Sequence, residues 1–311
     1  MQSRWNDGHF TGNLNGMVWT ASETVRRYLH FLVSGSAECD WPTWVRAHHL
    51  PPRVDRLLVL GAGSGWLERA LATKKGIGSI IACDFARETV TAAEKTAREE
   101  GLDQIQYLVC NLEAEALPDG PFDAVVANDV LHHITNLEGL YERIHEALVP
   151  GGKLLFNEYV GPNRFQYSDD RMEVINRYFR LIPDNLRFNP YWGGLFWSRF
   201  RVDPAKLADD DPTEAVRSED VLPLARRYFD VEAEYPYGGG LLNPLLYEII
   251  ANFDEKKPYD AGLLRMLCEA EDRLTRSGVI EPDFSIFVGR RKPSLAVRSL
   301  PRREAPPSLR S

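Results

Sequence analysis

The 311-residue chain lacks any apolar run near the ~18 residues a membrane span requires. Stretches such as Leu57–Leu60 and Leu241–Leu242 are far too short, so no membrane partner is expected. No apolar stretch follows Met1–Asn6, so no secretory signal is expected either. Cysteine is scarce. Cys39, Cys83, Cys110 and Cys268 lie far apart with no C-x-x-C pair, which disfavours a disulfide framework or a cysteine zinc site and fits reduced thiols of a cytoplasmic protein. Basic charge is in deficit, with 37 Lys and Arg against 45 Asp and Glu. The deficit is deeper in the body, because Arg290, Arg291, Lys292, Arg298, Arg302, Arg303 and Arg310 crowd into residues 290–311 with Glu304 the only acid there. An acidic body argues against binding a phosphate backbone, so no nucleic-acid partner is expected. The proline-bearing basic tail reads as a disordered, solvated appendage.

What is present is ordinary globular composition, 44% apolar and 26% charged, with ample length for a core. The centre alternates strands and helices: strands at Arg56–Leu60, Ser79–Cys83, Ile105–Cys110, Phe122–Ala127 and Lys153–Tyr159, with helices at Leu67–Thr73, Arg87–Glu100 and from Leu137. The last carries Leu137, Leu140, Tyr141, Ile144 and Leu148 at helical spacing. This repetition predicts an α/β protein with a parallel, doubly wound sheet. The first 50 residues read as helical. Residues 161–217 break the alternation. A helix near Ser218–Tyr228, a strand at Asp230–Tyr235, two helices and a strand at Phe284–Val288 complete the chain.

The sharpest local signal is Leu58-Val59-Leu60-Gly61-Ala62-Gly63-Ser64-Gly65, a strand running into a glycine turn. Glycines there let the chain turn tightly and let a ligand lie against bare backbone. A dinucleotide fingerprint wants its third glycine one place later, where Trp66 stands, so a nicotinamide oxidoreductase is disfavoured. Polar residues then mark the carboxyl ends of successive strands: Asp84, Asn111, Asn128-Asp129 and Asn157-Glu158. Each alone reads as a cap or turn former. Together they line the edge where open α/β sheets bind ligands.

Gly61-Ala62-Gly63-Ser64-Gly65, Asp84, the run Phe122–His133 and Leu148-Val149-Pro150-Gly151-Gly152-Lys153-Leu154 resemble the ordered motifs of class I S-adenosylmethionine-dependent methyltransferases. The flanks Val25-Arg26-Arg27, Asp40-Trp41 and Asn157–Pro162 are similar to members from glycan and natural-product biosynthesis. The resemblance implies a Rossmann-like seven-stranded sheet. It divides the chain into N-terminal helices (1–52), a cofactor-binding core (53–160), an inserted aromatic cap (161–217), a C-terminal completion of the sheet (218–289) and the tail (290–311). It also implies S-adenosylmethionine as cofactor. Gly61, Ala62, Gly63 and Gly65 would line its methionine part and Asp84 its ribose. Phe85 would pack on adenine, Asn111 and Leu112 would meet the adenine edge, and Asn128 would face the amino end. Two departures stand out: Val59 replaces an acid common two places before the first glycine, and Asn111 stands where Asp is common.

Methylating a hydroxyl requires holding it in near-attack range and removing its proton. His132 and His133 follow the fourth strand, and histidine titrates near neutrality. Glu158 and Tyr159 are the next candidates. The paired histidines have a second reading, as capping or packing groups. A metal set of Asp129, His133 and Glu158 is set aside for want of a recognised spacing, so no metal is expected. Residues 161–200 hold Phe165, Tyr167, Tyr178, Phe179, Phe188, Tyr191, Trp192, Phe196, Trp197 and Phe200 among six arginines, a mixture suited to a flat or sugar-like acceptor. The expectation is a cytoplasmic O-methyltransferase of a small molecule, at a hydroxyl of a sugar or glycosylated metabolite, with a homodimer left open. The alternative is the same fold serving as a non-catalytic binding or partner subunit.

Overall fold

A computed structural model of the chain describes residues 17–190 and 193–293. The expectations for residues 1–16, for Tyr191 and Trp192, and for residues 294–311 lie outside the described residues.

Two helices open the described chain, α1 (Glu23–Ser34) and α2 (Trp41–His48). The Ser22 hydroxyl accepts the Val25 N–H at 3.2 Å and starts α1, and Gly35 ends it in the left-handed region. Val25, Leu29 and Val33 recur every fourth residue on its buried face. The core then runs β1 (Val54–Leu60), α3 (Trp66–Ala72), β2 (Ile77–Asp84), α4 (Arg87–Glu99), β3 (Ile105–Val109), β4 (Phe122–Asn128), α5 (Leu137–Ala147) and β5 (Leu148–Tyr159). Beyond it come α6 (Asp169–Phe179), α7 (Pro204–Asp210), α8 (Ser218–Tyr228), β6 (Phe229–Tyr237), α9 (Leu242–Leu246), α10 (Pro258–Arg276) and β7 (Phe284–Arg291).

The seven strands form one sheet in the order β3-β2-β1-β4-β5-β7-β6. From β3 to β5 every pairing is parallel, as the alternation predicts. Outside that alternation, β7 runs antiparallel to both β5 and β6, which makes the sheet mixed. Tyr237 pairs with Phe284, so the chain leaves β6 and enters β7 at the same edge and must run back.

Side chains alternate across each strand and build two cores. Leu57, Val59, Ala124, Val126 and Leu155 face the helices α1, α2, α3, α4, α6, α9 and α10. Leu58, Leu60, Val125, Ala127, Leu154 and Phe156 face α5 and α8. Burial on both faces explains why these strands read as unbroken apolar runs.

Two boundaries move. The tail does not begin at residue 290: Arg290 and Arg291 lie in β7, and Arg290 Nε donates to Glu232 Oε1 at 2.6 Å. The aromatic insert does not fold around a core of its own. Tyr167, Met172, Ile175 and Phe179 join the main core, while Trp197 and Phe200 stay 71% and 79% exposed. Among the described residues no helix is long and apolar enough to cross a membrane.

Candidate active site

The strand ends bring the nominated residues to one edge. Leu60 lies level with Cys83 and Ala127, so Gly61, Asp84 and Asn128 stand side by side at the carboxyl ends of β1, β2 and β4. Gly61, Gly63 and Gly65 all hold positive φ, which is why the turn is built from glycine. Gly63 N–H donates to Asp84 Oδ2 at 2.9 Å, and Ala86 N–H donates to Oδ1 at 3.0 Å. Asp84 is therefore pre-set by backbone amides and fixes the loop at the same time. A Cβ at Gly63 would meet nothing within 4 Å, so this stretch of backbone borders open space. Gly61 is different: Val130 leans over it, and a Cβ there would fall 2.6 Å from the Val130 Cβ. Ala62 is buried and its amide bonds to the Cys83 carbonyl at 3.0 Å.

Around this crevice Phe85 is half-buried directly after Asp84. Asn111 is exposed, but its side-chain oxygen accepts the Glu113 N–H at 3.0 Å, so the amide turns into its own loop. Leu112 is buried in the core beside that loop. Asn128 joins a chain of side chains the sequence did not suggest. Tyr237 donates to Asn157, whose Nδ2 donates to Asn128 Oδ1 at 2.9 Å, while Asn128 Nδ2 donates to Asp129 Oδ2 at 2.9 Å. Asp129 sits at φ 50°, a left-handed conformation uncommon outside glycine.

The four nominated acid–base groups separate sharply. Glu158 is fully buried; its Oε1 accepts the Val130 and Leu131 N–H groups at 2.7 and 2.8 Å, and its Oε2 lies 2.8 Å from His132 Nδ1. It thus holds the short 3-10 turn Leu131–His133, which carries both histidines. Burial opposes charge on His132, but Glu158 and Glu214 outweigh it and lift its pKa to about 9. Burial and the neighbouring His132 drive His133 the other way, well below the usual imidazole value. Tyr159 is 3% exposed, donates to the Pro162 carbonyl at 3.0 Å, and is pushed far up by burial. Of the two histidines, His133 is the one held toward its neutral form.

Sequence reasoning missed the groups that face the histidines from the insert. Glu214 Oε1 lies 3.7 Å from His132 Nε2, and Glu214 Oε2 lies 3.8 Å from His133 Nε2. Thr213 Oγ1 is 3.2 Å and Asp211 Oδ2 is 3.9 Å from His133 Nδ1. In the sequence, Asp209-Asp210-Asp211-Pro212-Thr213-Glu214 looks like a solvated acidic run, and only the fold lays it across the turn. The insert is tied there by the Val216 N–H, which donates to the His132 carbonyl at 3.1 Å, and by Arg164, which donates to the carbonyls of Asp211, Pro212 and Glu214. A surface groove lined by Thr43, Arg46, Leu50, Lys74 and Lys75 lies between α2 and the α3–β2 turn, at the opposite edge of the sheet from the glycine loop.

Comparison with known proteins agrees with this geometry. Residues 58–156 match the methyltransferase domain family. Over 181 residues the chain is 28% identical to a demethylmenaquinone methyltransferase of Thermus thermophilus, covering 58% of this chain and 77% of that one. Over 105 residues it is 31% identical to the ubiquinone/menaquinone biosynthesis C-methyltransferase UbiE of Hydrogenovibrio crunogenus, covering 33% of this chain and only 41% of that one. Phosphoethanolamine N-methyltransferase 2 of Haemonchus contortus, solved in complex with S-adenosyl-L-methionine, superposes with a TM-score of 0.52 at 17% identity, covering 93% of this chain and 60% of that one. Residues 58–156 therefore match a methyltransferase domain, and they lie in a seven-stranded Rossmann-like sheet of the methyltransferase fold.

Proposed function

We propose that the chain is an enzyme that binds S-adenosylmethionine at the Gly61–Gly65 loop and methylates a small-molecule acceptor at a hydroxyl oxygen. The observation that carries the cofactor reading is the pairing of open backbone at Gly63 with the pre-set carboxylate of Asp84. Bare backbone admits a ligand at van der Waals distance, and a carboxylate accepts from both hydroxyls of a ribose. Bound there, the cofactor supplies a methyl group already activated on a sulfonium. The protein's own task is to hold the acceptor and remove its proton. His133 is the group suited to the second step, because its ring is neutral, while Glu158 holds His132 and the turn in place. The oxygen preference rests on this base; the relatives named above include enzymes of carbon and nitrogen transfer. The exposed Trp197 and Phe200 offer flat apolar surface for the acceptor at the rim of the insert.

Calorimetry with S-adenosylhomocysteine and with NAD tests the cofactor. Binding of the first alone is expected, and Asp84→Asn should weaken it by about 10-fold or more. Asp84→Ala should also lower the melting temperature, since two backbone amides lose their acceptor, a loss of about 1–3 kcal/mol. Unchanged affinity in Asp84→Asn removes Asp84 from the site. Turnover across a panel of hydroxyl, amine and carbon acceptors then tests the oxygen reading. Binding without turnover on any acceptor would favour the partner-subunit alternative.

A further inference from the structure

His132 and the proposed base His133 also meet the insert in an arrangement that proton removal by itself does not require. We propose that His132, His133 and Glu214 bind one divalent transition-metal ion of the zinc type, with His132 and His133 ligating through Nε2 and Glu214 through its carboxylate. The inference does not rest on the cofactor reading, because the ligand set is complete whether or not S-adenosylmethionine binds.

Four observations carry it. The first is spacing. One ligand atom from each residue lies within 4.8 Å of the others, with Glu214 Oε1 3.7 Å from His132 Nε2 and Glu214 Oε2 3.8 Å from His133 Nε2. Those distances are too long for hydrogen bonds. They are close to the separation of about 3.3 Å that bonds of 2.0–2.1 Å impose between neighbouring ligands of a tetrahedral zinc. Closing the set takes inward movement of Glu214 and of the rings from separations of up to 4.8 Å. The second is orientation. Zinc-binding imidazoles hand their other nitrogen to a carboxylate or another oxygen acceptor, which fixes the ring and its tautomer. His132 Nδ1 sits 2.8 Å from Glu158 Oε2, and His133 Nδ1 sits 3.2 Å from Thr213 Oγ1. Both rings are thereby turned so that Nε2 faces Glu214.

The third observation is an orphan. Asp211 is 7% exposed, its Oδ1 accepts from Thr213 N and Oγ1, and its Oδ2 has no hydrogen-bond partner among the described residues. That oxygen lies 3.9 Å from His133 Nδ1, where it completes a carboxylate–histidine pair once the ring carries metal. A buried carboxylate oxygen without a donor is unfavourable by itself and points to charge that the bare side chains do not supply. The fourth is donor chemistry. Two imidazoles and one carboxylate suit zinc and its first-row neighbours, whereas magnesium and calcium want oxygen throughout. Three protein ligands also leave a fourth position for water or an acceptor oxygen, and with the ion bound His133 would act as a ligand in place of its role as a free base. An ion held this way would join the turn after β4 to the insert, since Glu214 belongs to the segment that Arg164 ties down.

The test uses the full-length chain, stripped with a chelator and then titrated with zinc chloride or cobalt(II) chloride alone. Wild type should take up one equivalent, show the intense visible absorption of four-coordinate cobalt(II), and melt at a higher temperature with zinc than without. Magnesium should do none of these. His133→Ala should abolish the cobalt spectrum, and Glu214→Gln should weaken zinc binding at least 10-fold. Glu214 is partly exposed and Gln keeps its size, so this variant should retain the wild-type circular dichroism. His49→Ala, on a separate histidine packed against Trp44, should bind as wild type does. No stoichiometric uptake by wild type, or undiminished uptake by both His133→Ala and Glu214→Gln, would overturn the proposal. Either outcome leaves S-adenosylhomocysteine calorimetry unaffected, so the two readings fail separately.

Discussion

Glu68 shows how one buried residue sets a pH response. It is fully buried on α3, neither of its carboxyl oxygens finds a donor at bonding geometry among the described residues, and burial pushes its pKa up to about 7 from 4.5. The folded protein therefore holds a proton that the unfolded chain has released. Stability associated with Glu68 is fully present below about pH 4.5 and is lost as pH rises through about 7. Glu68→Gln should match wild type at pH 4 and exceed it at pH 8.5. The gap should be on the order of 3 kcal/mol at 1.36 kcal/mol per pKa unit, read by urea denaturation at both values. A gap that does not change with pH would mean that Glu68 stays ionised, or stays protonated, throughout.

The same separation of roles governs the histidines. Their adjacency was visible in the sequence, and so was the nearness of His132, His133, Glu158 and Tyr159 to the ends of β4 and β5. Their charge states were not. Those depend on Glu158 and Glu214, which reach His132 from different parts of the chain, and on burial that a linear pattern does not report.

Among elements, the 3-10 turn after β4 has little to hold it by itself. A single turn contributes few hydrogen bonds, and its first amides have no partner within the turn. Glu158, at the end of β5, supplies the acceptor for two of them. Glu158→Ala should leave those amides and His132 Nδ1 without an acceptor and destabilise the fold by about 3 kcal/mol or more. Glu158→Gln, which keeps one oxygen, should be milder. Thermal melts of the two variants check the order. The glycine loop gives a second case: Gly61→Ala adds a Cβ 2.6 Å from Val130 at φ 68°, so it should displace Val130 and lower both stability and cofactor affinity. Gly63→Ala meets no steric neighbour, and its cost should come from the backbone conformation and from the ligand alone. Affinity loss in Gly63→Ala that exceeds the stability loss would mark the open backbone as ligand-facing.

For the molecule as a whole, the insert divides into an anchored part and an exposed part. Phe179 and Tyr167 belong to the main core, and Arg171 pairs with Asp283 at 2.5 Å, tying α6 to the entry of β7. Trp197 and Phe200 touch water over most of their surface. Trp197→Ser with Phe200→Ser should therefore change stability by no more than about 0.5 kcal/mol, as surface substitutions do. If the insert receives the acceptor, the same double variant should raise KM for it several-fold while kcat holds. A large fall in melting temperature would show instead that these rings pack in solution.

The sequence by itself determined the strand–helix alternation, the faces of the helices and the glycine turn, because these depend on spacing along the chain: two residues in a strand, 3.6 in a helix, and a φ that only glycine readily adopts. It also determined which strand ends carry polar groups. Only the tertiary structure decided that β7 runs backward between β5 and β6, that Arg290 and Arg291 are strand rather than tail, and that Glu214 and Asp211 close over His132 and His133. Each of these joins residues far apart in the chain, and the pairing of distant groups follows from how surfaces pack and where the backbone returns.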